Sequence, residues 1–319
     1  MNTYGISLIL KMGCVCGKES VNINNRRFYT RSRIGEGGFS YIDLVEDAQT
    51  HKLLALKRIT CHSKEDEKVA MQEVEIMKTF HHINIIPLEE STLNPINHYT
   101  KAVDVVSEVL IVMPFYRRGS VEDMMERLKK KGEKMAEPEL WTMFLGICNG
   151  LKAMHHYNPP YAHRDIKPAN IMIADDSTPI IMDLGSAAKA RVEIKTSAEG
   201  RALQDIAAER CSMLYRAPEL FNVETNSTVD ERTDIWSLGC VLYAMAFLES
   251  PFEKVYQRGD SIALAVLGRN LKFKENSGFS NKIEETVTWL MSVNPMERPF
   301  IDAVIDKVEE LVHASENRV

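Results

Sequence analysis

The string His163-Arg164-Asp165-Ile166-Lys167-Pro168-Ala169-Asn170, followed shortly by Asp183-Leu184-Gly185, puts two carboxylates, an amide and a lysine in polar loops between hydrophobic segments. Phosphoryl transfer asks for these groups. An attacking hydroxyl needs an acceptor for its proton, and magnesium needs hard oxygen ligands such as Asp and Asn. A second cluster, Gly35-Glu36-Gly37-Gly38-Phe39-Ser40-Tyr41-Ile42, has small residues that let backbone N–H groups approach phosphate oxygens. Alone, it reads equally well as a tight hairpin turn. It runs into a strand and opens no helix, so it fails the context of a dinucleotide-binding motif. The segment from Gly13 to Glu19 misses P-loop spacing, with Glu19 where Ser or Thr should stand. Lys57 closes the apolar strand Leu54-Ala55-Leu56-Lys57. One hairpin after a phosphate-covering loop, it can clamp phosphates, with Glu73 or Glu75 available to hold it.

The elements that must position these groups are visible in the patterning. Tyr41 to Val45 alternates with period two, and Leu53 to Ile59 follows after a polar turn at 47–52. A helix is expected over roughly 66–80, and Val109 to Met113 reads as a short buried strand ending at Pro114. Beyond it the chain turns helical. Leu140, Phe144, Ile147, Leu151 and Met154 form a stripe at spacings of three and four, with Pro138 suited to the first turn. A further helix is expected from about Asp234 to Leu248, stopping before Pro251. The fold class is α+β: a small antiparallel sheet lobe over about 28–114, a hinge near 114–119, and a larger, mainly helical lobe over about 119–312. Residues 1–27 and 313–319 read as tails.

Composition narrows the classes. With 319 residues, 45% hydrophobic and 26% charged, the chain has ample material for a two-lobed core and is no disordered polymer. A net charge of −6 provides no global field for nucleic acid. The longest apolar run, Leu238 to Leu248, is far short of the about 20 residues of a membrane span. Six cysteines, Cys14, Cys16, Cys61, Cys148, Cys211 and Cys240, are sparse for a disulfide framework and lack zinc spacing. No secretory signal pattern precedes them, so a reducing, cytosol-facing compartment is expected. Lys129-Lys130-Lys131-Gly132-Glu133-Lys134 reads as a solvated loop between helices.

Taken together, in order and over about residues 28–312, these motifs resemble the eukaryotic protein kinases. The resemblance implies the bilobal protein-kinase fold, with ATP and Mg2+ as nucleotide and metal. Gly35, Gly37 and Phe39 then cover the phosphates, with Ile34, Glu36, Gly38 and Ile42 around them. Ala55, Met113 and Met172 enclose the adenine, and the carbonyl of Pro114 and N–H of Tyr116 recognise it. Lys57 grips the α/β-phosphates; Glu73 is its best partner and Glu75 the second choice. Asp165 matches the catalytic base, Lys167 the γ-phosphate contact, and Asn170 and Asp183 the magnesium ligands. Glu219 of Ala217-Pro218-Glu219 is expected to pair with Arg298, and Asp234 to brace the catalytic loop. Three departures stand out: Ser40 for the third glycine, Leu184 for the usual Phe, and Pro114 after Met113. None removes a group needed for ATP.

Lys167 two residues after Asp165, and Ser212 three before Tyr215, resemble the Ser/Thr-specific pattern. Protein substrates and autophosphorylation follow from that likeness. Loss of Lys57, Asp165, Asn170 or Asp183 would have pointed to a nucleotide-binding scaffold; all four are present. The 37-residue segment from Asp183 to Glu219 disfavours a small-molecule kinase. Arg118-Gly119, Asp183-Leu184-Gly185 and the run Asp230 to Met245 resemble the Numb-associated kinase family, especially its myristoylated and palmitoylated member. Leu203 to Arg210 has the composition of a helix inside the activation segment, and Arg164 leaves room for control by phosphorylation of Thr196 or Ser197. Met12-Gly13-Cys14-Val15-Cys16 resembles a dually acylated start, with Gly13 myristoylated and Cys14 and Cys16 palmitoylated if translation begins at Met12. Gly17 stands where Ser or Thr is expected. That likeness implies a kinase on the cytosolic face of Golgi or other membranes.

Overall fold

The computed structural model describes residues 19–37, 40–96, 105–269, 271–274 and 278–316. The amino-terminal lobe is a six-stranded antiparallel sheet crossed by one helix. Its elements are β1 (Ser20–Ile23), β2 (Arg26–Glu36), β3 (Ser40–Asp47), β4 (Leu53–Cys61), α1 (Lys64–Thr79), β5 (Glu90–Pro95) and β6 (Ser107–Pro114), in sheet order β1-β2-β3-β4-β6-β5. Residues 20–23, expected in a tail, are the edge strand: Ile23 is fully buried with Phe28, Val45, Leu54 and Leu56.

Period two sets the direction of the key lysine. Leu54 and Leu56 enter the outer apolar cluster, whereas Ala55 and Ile59 turn to the opposite face, under α1. Lys57 shares that second face, between Ile42 on β3 and Ile111 on β6. Helix α1 starts where Ser63 accepts a hydrogen bond from the Asp66 amide, and Glu65, Asp66 and Glu67 favour its positive end. It buries Ala70, Glu73, Val74 and Met77, so Glu73 faces the sheet.

The larger lobe contains α2 (Val121–Lys131), α3 (Glu137–His155), β7 (Tyr161–Ala162), β8 (Ile171–Ile173), β9 (Pro179–Ile181), β10 (Ala188–Lys189), β11 (Val192–Ile194) and α4 (Ser197–Arg210). It continues through β12 (Ser227–Val229), α5 (Arg232–Phe247), α6 (Glu253–Gln257), α7 (Ile262–Leu267), α8 (Asn281–Leu290) and α9 (Ile301–Glu316). All 16 residues of α5 are buried, so it has no polar face and forms the axis of the lobe. Lys129, Lys130 and Lys131 are the last turn of α2, not a loop, because cations suit a helix carboxyl end and Gly132 closes it at φ 68°.

The apolar cluster under α1 also joins the lobes: Val74, Met77, Ile111 and Met113 pack with Met154, Ile180 and Leu184. The Ile181 amide donates to the Asn84 carbonyl and the Ile86 amide to the Ile181 carbonyl, both at 2.8 Å. The strand leading into Asp183 is thereby tied to the amino-terminal lobe. No helix among the described residues is long and apolar enough to cross a membrane.

Candidate active site

Lys57 Nζ lies 2.7 and 2.9 Å from the two carboxylate oxygens of Glu73 and 3.0 Å from Asp183 Oδ1. Three elements from both lobes therefore meet at one ammonium group. Glu75 turns outward to Lys78, which leaves Glu73 as the partner. Burial alone would push the Lys57 ammonium down, but Glu73 and Asp183 override it and hold it above the ordinary lysine range. Burial likewise opposes the Asp183 charge, yet Lys57 overcomes it and keeps this carboxyl low. Glu73 goes the other way: burial raises its carboxyl, Lys57 offsets only part, and Asp183 adds repulsion. Asp183 also holds left-handed backbone, φ 61°, as does Arg164 beside Asp165 at φ 67°.

The catalytic-loop residues hang from α5. Asp234 is fully buried; its Oδ2 accepts the His163 amide at 2.7 Å and its Oδ1 the Arg164 amide at 2.8 Å. His155 Nε2 lies 2.9 Å from Oδ2. Burial would raise the Asp234 carboxyl, but His155, His163 and the Arg164 amide lower it. From this support the chain delivers Asp165, whose Oδ2 meets Asn170 Nδ2 at 3.0 Å and Lys167 Nζ at 2.8 Å. Lys167 also donates to Ser212 Oγ at 2.7 Å, and the Ser212 amide donates to Asp165 Oδ1 at 2.7 Å.

The expected adenine-side residues also come together. Ala55 pairs with Met113 across β4 and β6, and Ile42, Tyr116 and Met172 pack on the same cluster. Leu54 pairs with Pro114, the last residue of β6. Ile34, Gly35 and Glu36 end β2, with Gly35 opposite Ile42, and the Gly37 amide donates to the Ser40 carbonyl at 2.7 Å. Gly38 and Phe39 lie outside the described residues, as do Gly13, Cys14 and Cys16.

A cavity of about 520 Å³ opens beside Lys57, Glu73 and Asp183, with Ser40 and Gly185 on its wall. A 640 Å³ cavity beside α6 and α7 contains none of these residues, and its size alone gives it no chemistry. Asn170 and Asp183 offer hard oxygens suited to magnesium, which keeps water and phosphate oxygens as its remaining ligands. Among the described residues no group of three or more His, Cys, Asp or Glu side chains is placed to hold a metal ion.

Glu219 and Arg298 form a two-pronged ion pair, both contacts 2.7 Å, with Arg298 buried. Arg164 donates to the Lys189 carbonyl, and burial lowers its guanidinium with Asp234 and Cys211 opposing. Thr196 and Ser197 start α4, whereas Cys211 follows its end, about 20 Å along the axis by helical rise. The Thr196 hydroxyl instead caps α4 by accepting the Glu199 amide. Two residues escaped the sequence reading: His155, which contacts Asp234, and Arg210, which lines the cavity beside Lys57. The first had a faint signal, a histidine next to the apolar stripe of α3; the second had none.

The protein kinase domain profile matches residues 28–308. The chain is 42% identical to serine/threonine-protein kinase 16 of Rattus norvegicus over 298 residues, covering 93% of this chain and 94% of that protein. The Homo sapiens protein of the same name is 41% identical over the same coverage. Serine/threonine-protein kinase ppk13 of Schizosaccharomyces pombe is 30% identical over 321 residues, covering 91% and 92%.

Proposed function

The chain belongs to the protein kinase family and is a protein serine/threonine kinase, and on that premise we propose that it moves the γ-phosphate of MgATP to Ser and Thr hydroxyls of proteins, its own included. The observation carrying this reading is the network of Asp165, Lys167, Asn170 and Ser212 set on α5 and joined to the Lys57–Glu73–Asp183 group. Asp165 orients the attacking hydroxyl and takes its proton. Lys167, 2.8 Å from that carboxylate, stands against the charge that grows on the transferred group. Lys57 holds the α/β-phosphates, and Ala55, Met113, Pro114, Tyr116 and Met172 take the adenine. Magnesium held by Asn170 and Asp183 supplies neutralisation of phosphate charge. The rest is positioning, which contributes most of the rate in this chemistry.

The same reading places the chain in the Numb-associated family, supported by the motifs from Asp183 to Met245, and on cytosol-facing membranes by acylation. Two acyl chains are needed, since one myristoyl group binds a bilayer only marginally, with K on the order of 10⁴ M⁻¹. Intact mass of the cellular protein checks this: acyl increments on a chain beginning at Gly13 are expected, and an unmodified chain beginning at Met1 sinks it.

The test of the main reading is transfer from ATP to a generic Ser/Thr substrate and to the protein itself, beside Asp165→Asn. Transfer onto Ser and Thr, reduced about 10²–10⁴-fold in the variant, is expected. Wild type that binds MgATP yet transfers nothing is a nucleotide-binding scaffold.

A further inference from the structure

The cavity beside Lys57 has a wall that the mechanism above leaves unused. Two cations line it, Lys57 and Arg210, with carboxylates Asp66, Glu73, Asp183 and Glu209. Lys57 is committed to Glu73 and Asp183. Asp66 accepts the His62 amide at 2.9 Å, and that bond, with the Ser63 hydroxyl, lowers its carboxyl. Arg210, half-buried at the end of α4, makes no side-chain hydrogen bond or ion pair with any described residue. Among the described residues it is an uncommitted guanidinium, on the wall of a cavity whose other cation is already engaged.

Its backbone is held from both sides. Ser186 Oγ donates to the Arg210 carbonyl at 2.9 Å, and Ser186 is three residues past Asp183. Two residues past Arg210, the Ser212 amide donates to Asp165 Oδ1. Arg210 is thus fixed between the loop that carries Asp165 and the turn that carries Asp183. On the reading above, the γ-phosphate must lie between these two aspartates as its acceptor arrives. A guanidinium is a planar fork that matches two oxygens of one phosphate group and is always charged.

We propose that Arg210 contacts the γ-phosphate of ATP and is a catalytic residue of the transfer, delivered by the activation segment. This rests on the kinase reading and adds to it a γ-phosphate sensor. A helix carboxyl end also attracts a cation, and that alone would make Arg210 structural. The two roles differ in what they discriminate: a γ-phosphate contact separates ATP from ADP, whereas a structural arginine treats both alike.

The experiment measures Kd for MgATP and MgADP and steady-state kcat in wild type, Arg210→Gln and Arg210→Lys, with melting curves for each. Expected are MgATP binding weakened about tenfold in R210Q, MgADP binding unchanged within twofold, and kcat down about 10²-fold, the loss typical of one donor to developing charge. R210K recovers part of both losses, since it keeps the charge but loses the fork. Equal loss of ATP and ADP affinity, or no change in their ratio with kcat intact, overturns the proposal. Should R210Q melt early, R210K decides: a native melt with the ATP/ADP ratio unchanged also overturns it. A failure of the kinase reading itself would show separately, as wild type without transfer, because the binding ratio needs no turnover.

Discussion

Two carboxylate centres organise this molecule, and they are built in opposite ways. Asp234 sits on α5, wholly inside one lobe, and its partners are two backbone amides and a histidine from the same lobe. The Lys57–Glu73–Asp183 group spans a strand, a helix and a turn contributed by both lobes. In the first, both carboxylate oxygens accept hydrogen bonds, and the carboxyl is held low. The second sets two carboxylates around one ammonium, so one of them, Glu73, is held high. The Asp234 carboxylate never changes partners. The clamp carries one carboxylate more than it has cations, an excess that suits a metal still to be received.

The sharpest way to break this comparison is Lys57→Met. Transfer is expected to fall about 10²–10³-fold, as when one preorganised donor is removed from a transition state. Stability should fall little, because Glu73, already raised, takes up a proton when its ammonium partner goes. A large drop in melting temperature with nucleotide affinity preserved would show the clamp to be a brace as well. Asp234→Ala should reverse the pattern. It strips two buried amides of their acceptor, at about 1–3 kcal/mol for each donor left unpaired, read from urea unfolding. Stability should drop in every state, with or without ATP. A variant that unfolds like wild type would remove the distinction.

Acid supplies the smallest and most local effect. Burial opposes the charge of Asp47, but the Thr50 and Gln49 amides and the Arg26 guanidinium hold its carboxyl down to about 2, against an ordinary 3.8. A carboxyl lowered on folding stabilises above its unfolded value and loses that contribution as pH falls toward its folded one. The stabilisation from Asp47 is therefore complete above about pH 4 and fades between about 4 and 2. Hydrogen exchange at β3 and at β4, the strand that carries Lys57, should rise in that window in wild type. Asp47→Asn should start less protected and show a flatter acid response. Loss that begins equally in α5 would mean the lobes do not respond separately.

Much of this was legible in the chain itself. The Asp165–Asn170 string and Asp183 sit in one short stretch of chain, 165–183, so their chemistry shows in local order. Period two through Leu54, Ala55, Leu56 and Lys57 already assigns the lysine to one face of its strand. The unbroken apolar run into Leu248 marks a helix with no wet side. β1 was not legible, because four residues of alternation carry too little signal against a neighbouring tail. The choice between Glu73 and Glu75 was left to distance along the chain, since two positions on a helix differ by about 200° of rotation and only packing selects the inward one.

What the sequence determined by itself is therefore the inventory: which acids, amides and cations are available, and the periodicity that turns each toward a core or a solvent face. Those follow from covalent order and the two repeats of helix and strand. Tertiary structure decided the pairings across long separations: Lys57 with Asp183, His155 with Asp234, and Arg210 with the cavity of Lys57. None is a property of spacing, because each depends on how separate elements pack and on which charge is left without a partner once they do.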